Sequence, residues 1–205
     1  MSRENKEKKA LKSKSNTILL IVEDSEVDFF NKYFKAYLKN NKSILIDCIR
    51  SGTAGKCKIT NGEAMTNKVH AHLLDDAYKA VFIMIDLDTQ CHNAQRNHTC
   101  LVELKKEYAP RYKIDKELRD RFYLFVVCNE IESWFLTIDE KRNNTNSVHQ
   151  DHKEIMKKFF DVKREVDILN KILEGLNSGK YQLDFSKNNS LRHFIKKLQE
   201  YNANP

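Results

Sequence analysis

Proline and glycine are scarce: two prolines, Pro110 and Pro205, and five glycines are spread over 205 residues, with no stretch rich in either. That scarcity argues against a flexible linker between two folded units, and the length predicts one domain with elaborations. No apolar run approaches the roughly 20 residues of a membrane-spanning helix, and the N-terminal stretch lacks the apolar core of a signal peptide. Both absences predict a protein that is neither in a membrane nor exported. The cysteines, at positions 48, 57, 91, 100 and 128, are odd in number and scattered, which excludes a disulfide-stapled scaffold and predicts reduced thiols in a cytoplasmic protein.

What is present suffices for a core, since 40% of the residues are hydrophobic. The formal net charge is +7, and much of it lies in residues 1–15, where Arg3, Lys6, Lys8, Lys9, Lys12 and Lys14 face only Glu4 and Glu7. This basic tail has no apolar face and reads as a solvated, disordered arm, or alternatively as a salt-sensitive attraction for phosphate. Residues 16–140 then read as an α/β unit. Thr17 to Val22 is a continuous apolar run that stops at the acidic turn Glu23-Asp24-Ser25, as a strand buried on both faces does. Val27, Phe30, Phe34, Tyr37 and Leu38 follow at helical spacing, with Asp24 or Ser25 placed to cap the helix.

Further strands are predicted at Ile44–Ile49, Ala80–Ile85 and Phe122–Val127, and helices at about Ala64–Tyr78 and Thr99–Tyr108. Alternating strands and helices predict a Rossmann-like α/β fold, a mainly parallel sheet with helices on both faces. Right-handed crossovers then put all strand ends on one side. Residues 141–205 change character, with helices near 151–160, 164–176 and 189–201, a helical C-terminal extension of the same domain.

In such a sheet, ligands gather beyond the carboxyl ends of the strands. Glu23, the pair Asp86 and Asp88, and Glu130 with Glu132 all sit at such ends, and residues two apart on an extended strand share a side. Clustered carboxylates repel one another unless a cation lies between them, and a hard, oxygen-loving Mg²⁺ (or Mn²⁺) suits that donor set. With a phosphodiester substrate, such a metal supports hydrolysis. The plainer reading of each acid is a helix cap or a solvated turn.

Ile18-Leu19-Leu20-Ile21-Val22-Glu23-Asp24-Ser25-Glu26 followed by Phe29-Phe30, then Ile85-Asp86-Leu87-Asp88, then Glu132-Ser133-Trp134, resembles the TOPRIM superfamily and in particular its RloB-like members. The resemblance covers roughly residues 16–140. It implies a compact TOPRIM fold with Glu23 as metal ligand or general acid/base, Asp86 and Asp88 as Mg²⁺ ligands, and Glu132 as a further acid at the site. It also implies nuclease activity on DNA or RNA, a role in bacterial antiviral defence, and a partner ATPase of the AAA or ABC type. The chain departs from the family in carrying Asp24 where glycine is usual, and Glu26 three residues after Glu23 where an acid four along is usual. A non-catalytic binding or regulatory module with the same fold is therefore a second reading. A third begins from Leu20-Ile21-Val22-Glu23-Asp24, which looks like the start of a response-regulator receiver domain with Asp86 as phosphoacceptor. That pattern needs Ser or Thr at the next strand end, where Cys128-Asn129 stands, and a later Lys-Pro, which is absent.

Other signals point to structure. Gly52-Thr53-Ala54-Gly55-Lys56-Cys57 has two residues between its glycines where a phosphate loop needs four, and it lacks the Ser or Thr after lysine. Cys91, His92, His98 and Cys100, with His149 and His152, match no ordinary zinc spacing. Phe30, Phe34, Tyr37 and Trp134 read as core. Lys187, Arg192, Lys196 and Lys197 read as the polar face of an amphipathic helix, or alternatively as phosphate contacts.

Overall fold

A computed structural model describes residues 16–23, 26–52, 59, 62–74, 77–86, 105–106, 108–127, 130–146 and 150–203. Its centre is a four-stranded sheet of β1 (Thr17–Val22), β2 (Leu45–Arg50), β3 (Ala80–Asp86) and β4 (Phe122–Val127), in the order β2-β1-β3-β4 and parallel throughout. The two central strands are buried at every position, which is why their sequences are continuous apolar runs instead of alternating ones. The alternation survives in the packing. Ile18, Leu20, Val22, Phe82 and Met84 join one core cluster, and Leu19, Ile21, Val81, Ile83 and Ile85 join the other.

On the first face lies helix α1, which starts as Val27–Phe29, passes through a π-helical segment Phe30–Phe34 and ends as Lys35–Lys42. The wider π turn changes the angular spacing of side chains, and Phe29, Phe30 and Phe34 are all fully buried. The cap predicted at Asp24 or Ser25 falls outside the described residues; Glu26 occupies the N-cap position without a side-chain cap bond. On the second face lies α2 (Gly62–Leu74), joined there by Tyr108, Tyr112, Ile114 and Leu118 from the segment leading into β4. Helix α2 stops short of the predicted Tyr78 because the chain must extend into β3: Lys79 N–H already donates to the Thr17 carbonyl at 2.9 Å. Most of the helix expected at Thr99–Tyr108 lies outside the described residues.

After β4 the chain returns to the first face as α3 (Glu132–Phe135, prolonged by a 3₁₀ turn at Leu136–Ile138), α4 (His152–Phe160), α5 (Glu165–Asn177) and α6 (Asn189–Ala203). Met156, Ile168, Ile172, Leu176, Phe194 and Leu198 enter the same core cluster as α1 and the sheet. Among the described residues, no helix is long and apolar enough to cross a membrane.

Candidate functional site

The strand order locates a crevice. The connection from β1 to β2 runs over the first face through α1, whereas the chain from β3 to β4 runs over the second. The two connections diverge beyond the carboxyl ends of β1 and β3, the topological switch point at which open α/β sheets bind ligands. Register sets what meets there. Ile21 pairs with Ile83, so Asp86 stands level with the turn that follows Glu23. On the other side Val22 pairs with Arg50, and Ser51 N–H donates to the Val22 carbonyl at 2.8 Å, which holds the end of β2 against the end of β1.

A cleft of about 340 Å³ opens at this point. Glu23, Glu26, Asp28, Asp86, Glu132 and Glu165 line it, against two cations, Arg50 and Lys153, with an apolar wall formed by Ile131, Phe135, Val166, Ile168 and Leu169. Thus Glu23, Asp86 and Glu132, predicted from distant parts of the chain, share one cavity. Asp88 lies outside the described residues, as do Asp24, Cys91, His92, His98 and Cys100, His149, and the loop positions Thr53 to Cys57.

Local structure explains how each side chain is held. Glu26 N–H donates to the Glu23 carbonyl at 3.3 Å, and Phe30 N–H to the Glu26 carbonyl at 3.3 Å, which holds Glu23 against the N-cap of α1. Glu26 and Asp86 are both buried. Asp28 is drawn outward by Lys32 at 2.8 Å. Glu130 and Glu132 flank the start of α3, where Ser133 N–H donates to the Glu130 carbonyl at 3.0 Å. The buried Glu130 takes an ion pair from Lys153 of α4 at 3.0 Å, and the buried His152 ring lies 3.9 Å from it. Burial, and then Arg142, hold His152 below its ordinary value, which favours the neutral ring. Burial, and then the charge of Glu130, push the Glu132 carboxyl up to about 7.

Among the described residues the cleft holds six acidic side chains against two cations, and even with Glu132 protonated and Asp28 paired to Lys32 it stays net negative, which favours a cation within it. Among the described residues, no group of three His, Cys, Asp or Glu side chains forms a ready-made metal cage. Mg²⁺ commonly takes only one or two carboxylates and fills its shell with water and substrate oxygens. The all-oxygen donor set of Glu23 and Asp86 fits that demand, and among the described residues no soft ligand lines the cleft. No family model, curated protein or solved structure matches the chain.

Sequence reasoning missed Arg50, Lys153 and Glu165. Arg50 was open to discovery, because it ends β2 on the same edge as Glu23 and Asp86. Lys153 and Glu165 belong to the C-terminal helices, and no local pattern ties them to Glu23 and Asp86, which stand at strand ends far earlier in the chain. The cations read as one helix face divide: Lys187 precedes α6 and is tied to the Asp139 carbonyl at 3.1 Å, and Arg192 bonds Asn189 Oδ1 at 2.6 Å.

Proposed function

We propose that the protein is a TOPRIM-type, metal-dependent nuclease that hydrolyses phosphodiester bonds in DNA or RNA, with Mg²⁺ or Mn²⁺ held by Glu23, Asp86 and Asp88. The observation that carries this reading is the meeting of Glu23 and Asp86 in one carboxylate-rich cleft at the β1/β3 switch point. When bound, the divalent cation supplies a water of lowered pKa and neutralises charge at the leaving oxygen. The chain's own groups do the rest. Glu132, protonated up to about pH 7, can hold a proton at its carboxyl oxygen and deliver it to the leaving alkoxide. Arg50, exposed on the rim and in no ion pair among the described residues, suits a bidentate grip on a phosphate. Lys153, fixed by Glu130, offsets charge on the opposite side.

The test is incubation of the purified chain with plasmid DNA, single-stranded DNA and tRNA in Mg²⁺ or Mn²⁺, with chelator and Glu23→Ala as controls. Cleavage abolished by both controls is the expected result. A role in antiviral defence and a partner ATPase of the AAA or ABC type follow from the resemblance alone, and silence on all three substrates that persists with such an ATPase added defeats the proposal. A receiver-like domain is the second reading, favoured by a strand order that matches the first four strands of the 2-1-3-4-5 arrangement found in receivers. Base-labile phosphate on Asp86 after treatment with acetyl phosphate would establish it.

A further inference from the structure

Strand β4 is the outer strand on the side away from β2, and its second residue, the half-buried Tyr123, gathers cations. Lys105 Nζ lies 3.3 Å from the Tyr123 hydroxyl and 4.9 Å from the ring centroid. Lys197 of α6 lies 5.6 Å from the same centroid, and His193 Nε2 is 3.4 Å from the hydroxyl. Exposed Lys196 adjoins them on α6. Among the described residues, the carboxylate ion-paired into this group is Glu200, at 2.6 Å from Lys197, and Lys105 and Lys196 are in no ion pair. The lysines are therefore assembled from two distant segments onto one aromatic ring, against their mutual repulsion. Burial, and then Lys105, Lys197 and Lys196, hold His193 below its ordinary value, with Glu200 acting the other way.

We propose that Lys105, Tyr123, His193, Lys196 and Lys197 form a docking site for the phosphate backbone of a nucleic acid, separate from the carboxylate cleft. Cations grouped at an exposed edge with too few carboxylates to neutralise them are complementary to a polyanion, and their hold on a tyrosine ring is weak enough to exchange for phosphate oxygens. The site is offset from the chemistry. Tyr123 pairs with Phe82 and Val127 with Asp86, so four residues, about 13 Å of strand, separate the patch from the cleft. A strand bound here would be positioned across the sheet edge with its next nucleotides near the carboxylates. The inference does not rest on hydrolysis, because binding is read without any divalent cation.

The experiment titrates the full chain against short fluorescent single-stranded and duplex oligonucleotides in chelator, by anisotropy, at several salt concentrations. K105A/K197A is expected to weaken single-strand binding by about tenfold and to flatten the slope of log affinity against log salt by about 1.4, two phosphate contacts at about 0.7 each. K105R/K197R, which keeps the charge, should bind as the parent does. Unchanged affinity and slope in K105A/K197A would overturn the proposal. So would an equal loss in the control K39A/K42A on α1, or binding of phosphatidylserine vesicles without binding of oligonucleotides. Matching thermal melts of the variants exclude misfolding as the cause.

Discussion

Glu132 carries a carboxyl whose proton affinity is set by its surroundings, and the sign of the effect on stability is unusual for an acid. In the unfolded chain it titrates as an ordinary glutamate near pH 4.5, whereas burial and Glu130 push it up to about 7 in the folded protein. Between those values the folded chain keeps a proton that the unfolded chain has lost. Stability from this group is therefore full below the lower value, falls as pH rises through the window and is level above about 7. Glu132→Gln removes the titration. The melting temperature of the variant minus that of the parent, measured without divalent cations, should climb from pH 4.5 to 7 and then plateau; a difference that stays flat would show that Glu132 is not held protonated.

The C-terminal helices are held by caps of two kinds. Asp151 is a surface cap on α4, its Oδ1 accepting from Glu154 N–H at 2.9 Å. Asn188, fully buried, begins α6: its Oδ1 accepts from Leu191 N–H and from Ser190 Oγ, both at 2.9 Å, while its Nδ2 donates to Thr145 Oγ1 at 2.9 Å and to the Ser133 carbonyl at 3.2 Å. Trp134 Nε1 then donates to Ser190 Oγ at 2.8 Å, so one amide ties α6 to α3 and to the loop at Thr145. Removing an exposed cap loses about 1 kcal/mol, but removing Asn188 also strands several buried polar partners. Urea denaturation should give about 1 kcal/mol for Asp151→Ala and about 3 kcal/mol for Asn188→Ala. Equal losses would mean that the buried network relaxes around the gap.

At the scale of the whole molecule, the C-terminal helices complete the core on the first face of the sheet, together with α1, and are not an appendage. Phe194 of α6 packs against the rings of Phe30, Phe34, Phe82, Phe125 and Trp134, with centroids 4.9 to 6.4 Å from its own. Phe194→Ala should cost about 3–5 kcal/mol. Truncation after Glu140 would remove Phe194 from the rings of Phe82 on β3 and Phe125 on β4, and Ile172 from the core cluster it shares with them, and the shortened chain should show no cooperative thermal transition. A truncated chain that melts cooperatively would mean that residues 16–140 fold alone. The same packing carries Lys153 and Glu165 to the cleft, so loss of the extension would also remove part of the site.

The amino-acid sequence by itself determined the strands and the parallel sheet, because a strand buried on both faces must be apolar throughout and has nowhere to hide a polar residue until it ends. That abrupt ending marked Glu23 and Asp86, and the rule that ligands lie at carboxyl ends named them as site residues. The tertiary structure alone decided the strand order, hence that β1 and β3 are neighbours and that these two acids face one cleft. It also decided which helices supply the opposing cations. Lys153 and Lys197 look in the sequence like any lysine on an amphipathic helix, since helical periodicity specifies which side faces the core but carries no information on which distant group waits beside it.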